Sequence, residues 1–159
     1  MNYFPTWGDY FAADAAWREH GGKVGAKINK LMTCGRPVLA GFMQAGEPAP
    51  DAPVKPLYIR VCQLKPGNTI ANAMAYRKAV NSTQNEQIGS TVGSYMFTPG
   101  FGNPGFDYGA MVTGTPEDMA KLMDHSRDGS TGKLLTKAGY TEPGNCIVDL
   151  HRSHMMVSQ

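Results

Sequence analysis

The chain has 159 residues, 42% of them hydrophobic, with 15 Lys and Arg against 13 Asp and Glu for a formal charge of +2. That length suits one full core, or one domain with part of another, and without a basic run or stripe the footprint of a nucleic-acid binder is missing. No stretch approaches the roughly 18 continuous apolar residues that span a bilayer; the first residues also lack a signal peptide's charged head, apolar run and cleavage site, so neither a membrane nor secretion is expected and a cytoplasmic location is the default.

Thr6-Trp7-Gly8-Asp9 opens a helical run with the pattern of a capping box. Tyr10, Ala13 and Trp17 supply its apolar face, and Gly21-Gly22 interrupts it. A second helical piece carries Val24, Ile28, Leu31 and Met32 and stops at Gly35, after which Val38–Met43 reads as a strand. Residues 45–56 hold four prolines, one glycine and two acidic residues, the composition of a connector.

Residues 57–63 alternate, with Leu57, Ile59 and Val61 on one face and Tyr58, Arg60 and Cys62 on the other. The turn 65–68 leads to a helix capped by Asn68 or Thr69, with Ile70, Ala73, Met74 and Val80 on its apolar face and polar residues 81–87 at its end. Residues 94–98 and 106–112 are the next strands, joined by the Gly/Pro-rich turn 99–105. Thr115 caps a further helix with Pro116 at its first position, and Asp128–Gly132 breaks it. A short helical stretch around 133–138 precedes a strand at 146–151, and residues 153–159 form a tail.

Two internal copies are visible in this order. Thr6 and Thr115 stand 109 residues apart, and each is followed 32 residues later by an apolar strand, near Val38 and Ile147. Residues 1–44 therefore read as the second half of a module, 45–56 as a linker, and 57–152 as a complete one. The complete module runs strand, helix, strand, strand, helix, strand, the α+β ferredoxin-like βαββαβ arrangement. Its helices cover one sheet face and leave the other in need of a partner.

The chain resembles the dimeric α/β-barrel superfamily, in its NIPSNAP and antibiotic-biosynthesis-monooxygenase-like branches. The resemblance covers residues 57–152 and rests on Cys62-Gln63-Leu64-Lys65-Pro66-Gly67-Asn68-Thr69 and Gly105-Phe106-Asp107-Tyr108. It implies a homodimer built through the open sheet face, with that face lining a pocket for a small apolar or aromatic ligand. That face is expected to carry Tyr58 and Arg60, Tyr95 or Phe97, Asp107 and Met111, and Asp149 and His151, with Tyr58, Tyr95, Phe97 and Met111 as the ligand-binding residues. A second implied reading is a cofactor-independent monooxygenase or isomerase acting on a phenolic or polyketide-like compound. There His151 would carry a proton, Asp149 or Asp107 would orient it, and Arg60 would steady an oxyanion. A third is a structural repeat of a longer tandem protein.

No cofactor or metal is expected. His151 and His154 fall on opposite faces of a strand, no acidic residue or cysteine completes a set with them, and haem enters only because some members of the superfamily bind it. His20 and His125 sit at helix ends, where a cation complements the helix dipole. Gly129–Lys133 lacks the leading glycine and the following Ser or Thr of a P-loop. Cys34, Cys62 and Cys146 are odd in number and contain no C-x-x-C pair. Alternation puts Cys62 and Cys146 on opposite faces, so all three are expected to behave as small hydrophobes.

Overall fold

The computed structural model describes residues 5–31, 39–52, 54–101 and 105–154. They belong to two compact units, Met1–Pro37 and Val38–Gln159. The first contains helices α1 (Trp7–His20) and α2 (Gly22–Leu31). Thr6 and Asp9 form the reciprocal cap expected of them, with Asp9 N donating to Thr6 Oγ1 at 3.2 Å and Thr6 N to Asp9 Oδ2 at 3.0 Å. Gly21 closes α1 by donating to the Trp17 carbonyl at 2.7 Å, and the Trp17 indole lies where a side chain at 21 would begin.

The second unit is a five-stranded antiparallel sheet with three helices, an α+β architecture. In chain order it comprises β1 (Leu39–Gln44), β2 (Val54–Leu64), α3 (Ile70–Ile88), β3 (Gly93–Phe101), β4 (Tyr108–Thr113), α4 (Pro116–Ser126), α5 (Ser130–Lys137) and β5 (Gly144–His154). The strands lie in the order β1-β3-β4-β2-β5, all neighbours antiparallel. Thus β2 runs between β4 and β5, and β1 adds to the outer side of β3.

Two buried clusters hold the helices against one face of this sheet. One joins Cys62, Met96, Tyr108 and Ala110 to Ala73 of α3, and the other joins Val92 and Val112 to Met119 and Leu122 of α4. The cap residues follow the sequence: Thr69 for α3, with Asn72 reciprocating, and Thr115 before Pro116 for α4. The polar run 81–87 does not end α3, which continues to Ile88 and stops at left-handed Gly89. The added turns face the 89–92 connection, where Asn81 Nδ2 donates to the Val92 carbonyl at 2.8 Å and Asn85 Oδ1 accepts from Val92 N at 2.9 Å. These side chains bond to loop backbone and so have no need of solvent.

The Pro-rich stretch is fastened at its start. Ala45 N donates to the Ser94 carbonyl at 2.8 Å, Ser94 N to the Glu47 carbonyl at 3.1 Å, and Ala49 N to Tyr95 Oη at 2.9 Å. Its last residues, from Val54, already belong to β2.

Candidate functional site

Register fixes which side chains share a face, because directly paired residues of antiparallel strands point the same way. Arg60 pairs with Ala110, and Cys62 pairs with Tyr108 and Cys146. Ala110, Tyr108 and Cys62 belong to the core beneath α3, so Tyr58, Arg60 and Cys62 turn toward the helices. The expectation that Tyr58 and Arg60 line the open face is corrected here. Tyr58 packs with Val92, Val112, Met119 and Leu122. Arg60 is retained under the helices by an ion pair with Glu142, the residue two before β5, whose main-chain oxygen accepts from Lys65 Nζ at 2.9 Å.

The same register overturns the reading of the cysteines. Cys62 and Cys146 are direct cross-strand partners and form a disulfide with their Cα atoms 4.1 Å apart. Alternation along each strand separately cannot reveal this, since facing is decided by which residues pair. Cys34 lies outside the described residues.

Around the disulfide is a cluster rich in charge. Arg77 projects from α3 and is 3% exposed, yet its only hydrogen bond among the described residues runs from Nη2 to Ser94 Oγ at 3.0 Å. The Nε atoms of Arg60 and Arg77 are buried without a partner among the described residues. Burial, then the nearby Arg60 charge, pulls the Arg77 guanidinium down to about 10. Burial pushes the Tyr76 and Tyr108 phenols up. Together these side chains and both cysteines line a crevice with no space for a water molecule.

The opposite face is mostly apolar, with Lys55 at the start of β2 among its described residues. It carries Leu57, Ile59 and Val61 of β2, Gly109, Met111 and Thr113 of β4, Tyr95 and Phe97 of β3, Phe42 and Gln44 of β1, and Ile147 of β5. Phe42 and Tyr95 stack with centroids 5.2 Å apart, and Phe106 meets Phe97 edge-on at 5.9 Å. Ile147 is 71% exposed and Phe42 36%. Three of the four expected ligand-binding residues, Tyr95, Phe97 and Met111, share this face.

Of the four expected catalytic residues, the two with described side chains, Arg60 and Asp107, are engaged by different partners. Residues 149 and 151 pair with Ile59 and Leu57, whose face is the one Arg60 does not share; the side chains of Asp149 and His151 lie outside the described residues. Asp107 is occupied at the mouth of the β2–β4 pair, accepting from Leu64 N at 2.7 Å while its own N–H donates to the Cys62 carbonyl. His125 bonds Ser130 Oγ through Nε2 at 2.7 Å, linking α4 to α5.

Sequence reasoning passed over Arg77 and Glu142, and set aside a Cys62–Cys146 bridge on the ground of alternation. A signal for Arg77 was present: Ala73, Arg77 and Val80 recur at i, i+4 and i+7, which places an arginine on the apolar stripe. Among the described residues no group of three His, Cys, Asp or Glu could hold a metal ion, and no helix is long and apolar enough to cross a membrane. A depression of about 590 Å³ forms an open groove between α3 and the 44–47 segment, lined by polar residues such as Lys78, Asn81 and Glu86. No family model matches the chain, and neither a curated protein nor a solved structure matches it significantly.

Proposed function

We propose that residues 57–152 form a ferredoxin-like βαββαβ module of the dimeric α/β-barrel kind, that two copies of the chain associate through the open sheet face, and that the seam holds a small apolar or aromatic ligand. The observation that carries this reading is the composition of that face: most of its described side chains are aliphatic or aromatic, and among them only Lys55, at the start of β2, is charged. Five strands at about 4.8 Å spacing give a surface on the order of 400–500 Å² in outline. An apolar patch of that size is comparable to the largest that a monomer exposes, and such patches are often functional. Stacked sheets about 10 Å apart are a standard packing. Support for the ferredoxin-like reading comes from the order β3-β4-β2-β5, with α3 and α4 on one side.

The test is the mass of the full chain in solution by light scattering after size exclusion. Twice 17.2 kDa is expected, with Ile59→Glu and Met111→Glu giving monomers of unaltered far-ultraviolet circular dichroism. A wild-type monomer at high micromolar concentration would sink the proposal. Native mass spectrometry of the dimer as purified should show a ligand adduct that Phe97→Ala weakens.

A specific observation favours a second reading, a repeat within a tandem protein. The order α1-α2-β1 recurs as α4-α5-β5, with capping threonines 109 residues apart. The enzyme reading receives less support, because Arg60 is engaged by Glu142 on the far side of the sheet from Met111 and Tyr95.

A further inference from the structure

We propose that the Cys62–Cys146 pair is a redox-active site that exchanges with small thiols, and that Arg77 and Arg60 stabilise the thiolate released at Cys62. The proposal concerns the helix face and is independent of pairing through the open face.

Three observations carry it. The pair bridges adjacent strands and is unequally accessible: Cys62 is 1% exposed, whereas Cys146 on edge strand β5 is only partly buried. Two guanidinium groups and a single carboxylate, Glu142, line the crevice that both cysteines share, leaving one positive charge in excess there. That excess has no counter-ion among the described residues: Arg60 is matched by Glu142, while Arg77 is nearly fully buried and bonded only to a hydroxyl. Burying a charge without a partner is costly. A neighbouring thiolate would supply the partner, and cationic surroundings are what lower a thiol's pKa.

The step balances as ordinary thiol–disulfide exchange. An external thiolate attacks Sγ of Cys146, the less buried residue of the pair, forming a mixed disulfide. The Sγ–Sγ bond breaks, and its electron pair leaves on Cys62 Sγ. A second thiol then displaces the first from Cys146, so two small thiols become one small disulfide while the protein takes up two electrons. The groups facing the released sulfur are Arg60 on β2, Arg77 and Tyr76 on α3, Tyr108 on β4, whose Oη stands 4.0 Å from Cys146 Sγ, and Glu142 before β5. Both phenols are held neutral by burial, so the two arginines and Glu142 set the local field.

The experiment uses the full chain carrying Cys34→Ser, equilibrated in glutathione redox buffers, with the dithiol fraction read by alkylation and mass spectrometry. Thiolate absorbance at 240 nm is followed against pH. Reduction of the folded protein is expected, with one thiol titrating well below the ordinary value of about 8.5. Arg77→Met should raise that pKa and shift the exchange equilibrium toward the disulfide by about tenfold. Glu142→Gln, which removes the only carboxylate among the described residues lining the crevice, should move both readouts the opposite way. A merely structural role predicts no such opposition. The proposal is overturned if both thiols titrate near the ordinary value, if the two variants shift in the same direction, or if the disulfide yields only when circular dichroism shows unfolding. Should Arg77→Met not fold, Glu142→Gln alone decides by its sign.

Discussion

The ring of Phe97 on β3 lies across Gly109 on β4, its registered partner, in the space that a side chain at 109 would occupy. Glycine weakens a strand interior, and here an aromatic neighbour covers the gap it leaves. Phe106 meets the same ring edge-on. The aromatic part of the open face is therefore built upon an absent methyl group.

Gly109→Ala should consequently destabilise the fold by about 1–3 kcal/mol, the usual cost of overpacking. Urea unfolding followed by circular dichroism measures it. Combining the change with Phe97→Leu should recover part of the loss, and strict additivity of the two would disprove the contact.

Asn81 is 1% exposed and ties three segments together: its Oδ1 accepts from Glu47 N at 2.9 Å, and its Nδ2 donates to the Val92 carbonyl. Asn81→Ala removes both bonds, leaving the Val92 carbonyl only Asn85 Nδ2 at 3.3 Å, and is expected to cost about 1–3 kcal/mol. Hydrogen exchange at the Glu47 amide should accelerate selectively in the same variant; an unchanged rate there would refute the role.

Arg77→Met is expected to leave stability unchanged or raise it by about 1 kcal/mol, since a buried charge without a carboxylate partner is replaced by an apolar side chain of similar length. A loss above about 2 kcal/mol in urea would show that the bond to Ser94 outweighs the cost of burial.

Much of the local structure is legible in the chain, and the reasons are local. Thr6 with Asp9, and Thr115 with Pro116, announce helix starts within four residues, and Gly21 marks the break that follows α1. What could not be read is the phase of β2. Both sets of alternate residues, Leu57, Ile59, Val61 and Tyr58, Arg60, Cys62, have a reason to be covered, and the choice is made by partners far along the chain: Glu142 for Arg60 and Cys146 for Cys62. The extent of α3 was hidden likewise, because Asn81 and Asn85 look like solvent-facing residues until the 89–92 connection returns to meet them.

Asp118 provides a pH test. Hydrogen bonds from Ser90 and Thr115, in that order, hold its carboxyl below the usual carboxylate range. Its folded pKa is thus below the unfolded value of about 3.9, so its contribution is complete above pH 4 and is lost as the pH falls through the folded value. Asp118→Asn should flatten the decline of melting temperature in that acidic window while lowering stability at neutral pH. Thr115→Ala should cost about 1 kcal/mol through the cap. An undiminished acid slope in Asp118→Asn would show that other carboxyls govern it.

The pairing of β1 with β3 bears on how the molecule is divided. A cut at the prolines, which composition invites, would remove β1 together with the anchoring amides of Ala45 and Ala49. What remained would present the outer rim of β3, with bare N–H and C=O groups, as a template for stray strands. A piece meant to survive alone should retain everything from Val38 onward, and one trimmed to residue 57 should precipitate or pair promiscuously along that rim.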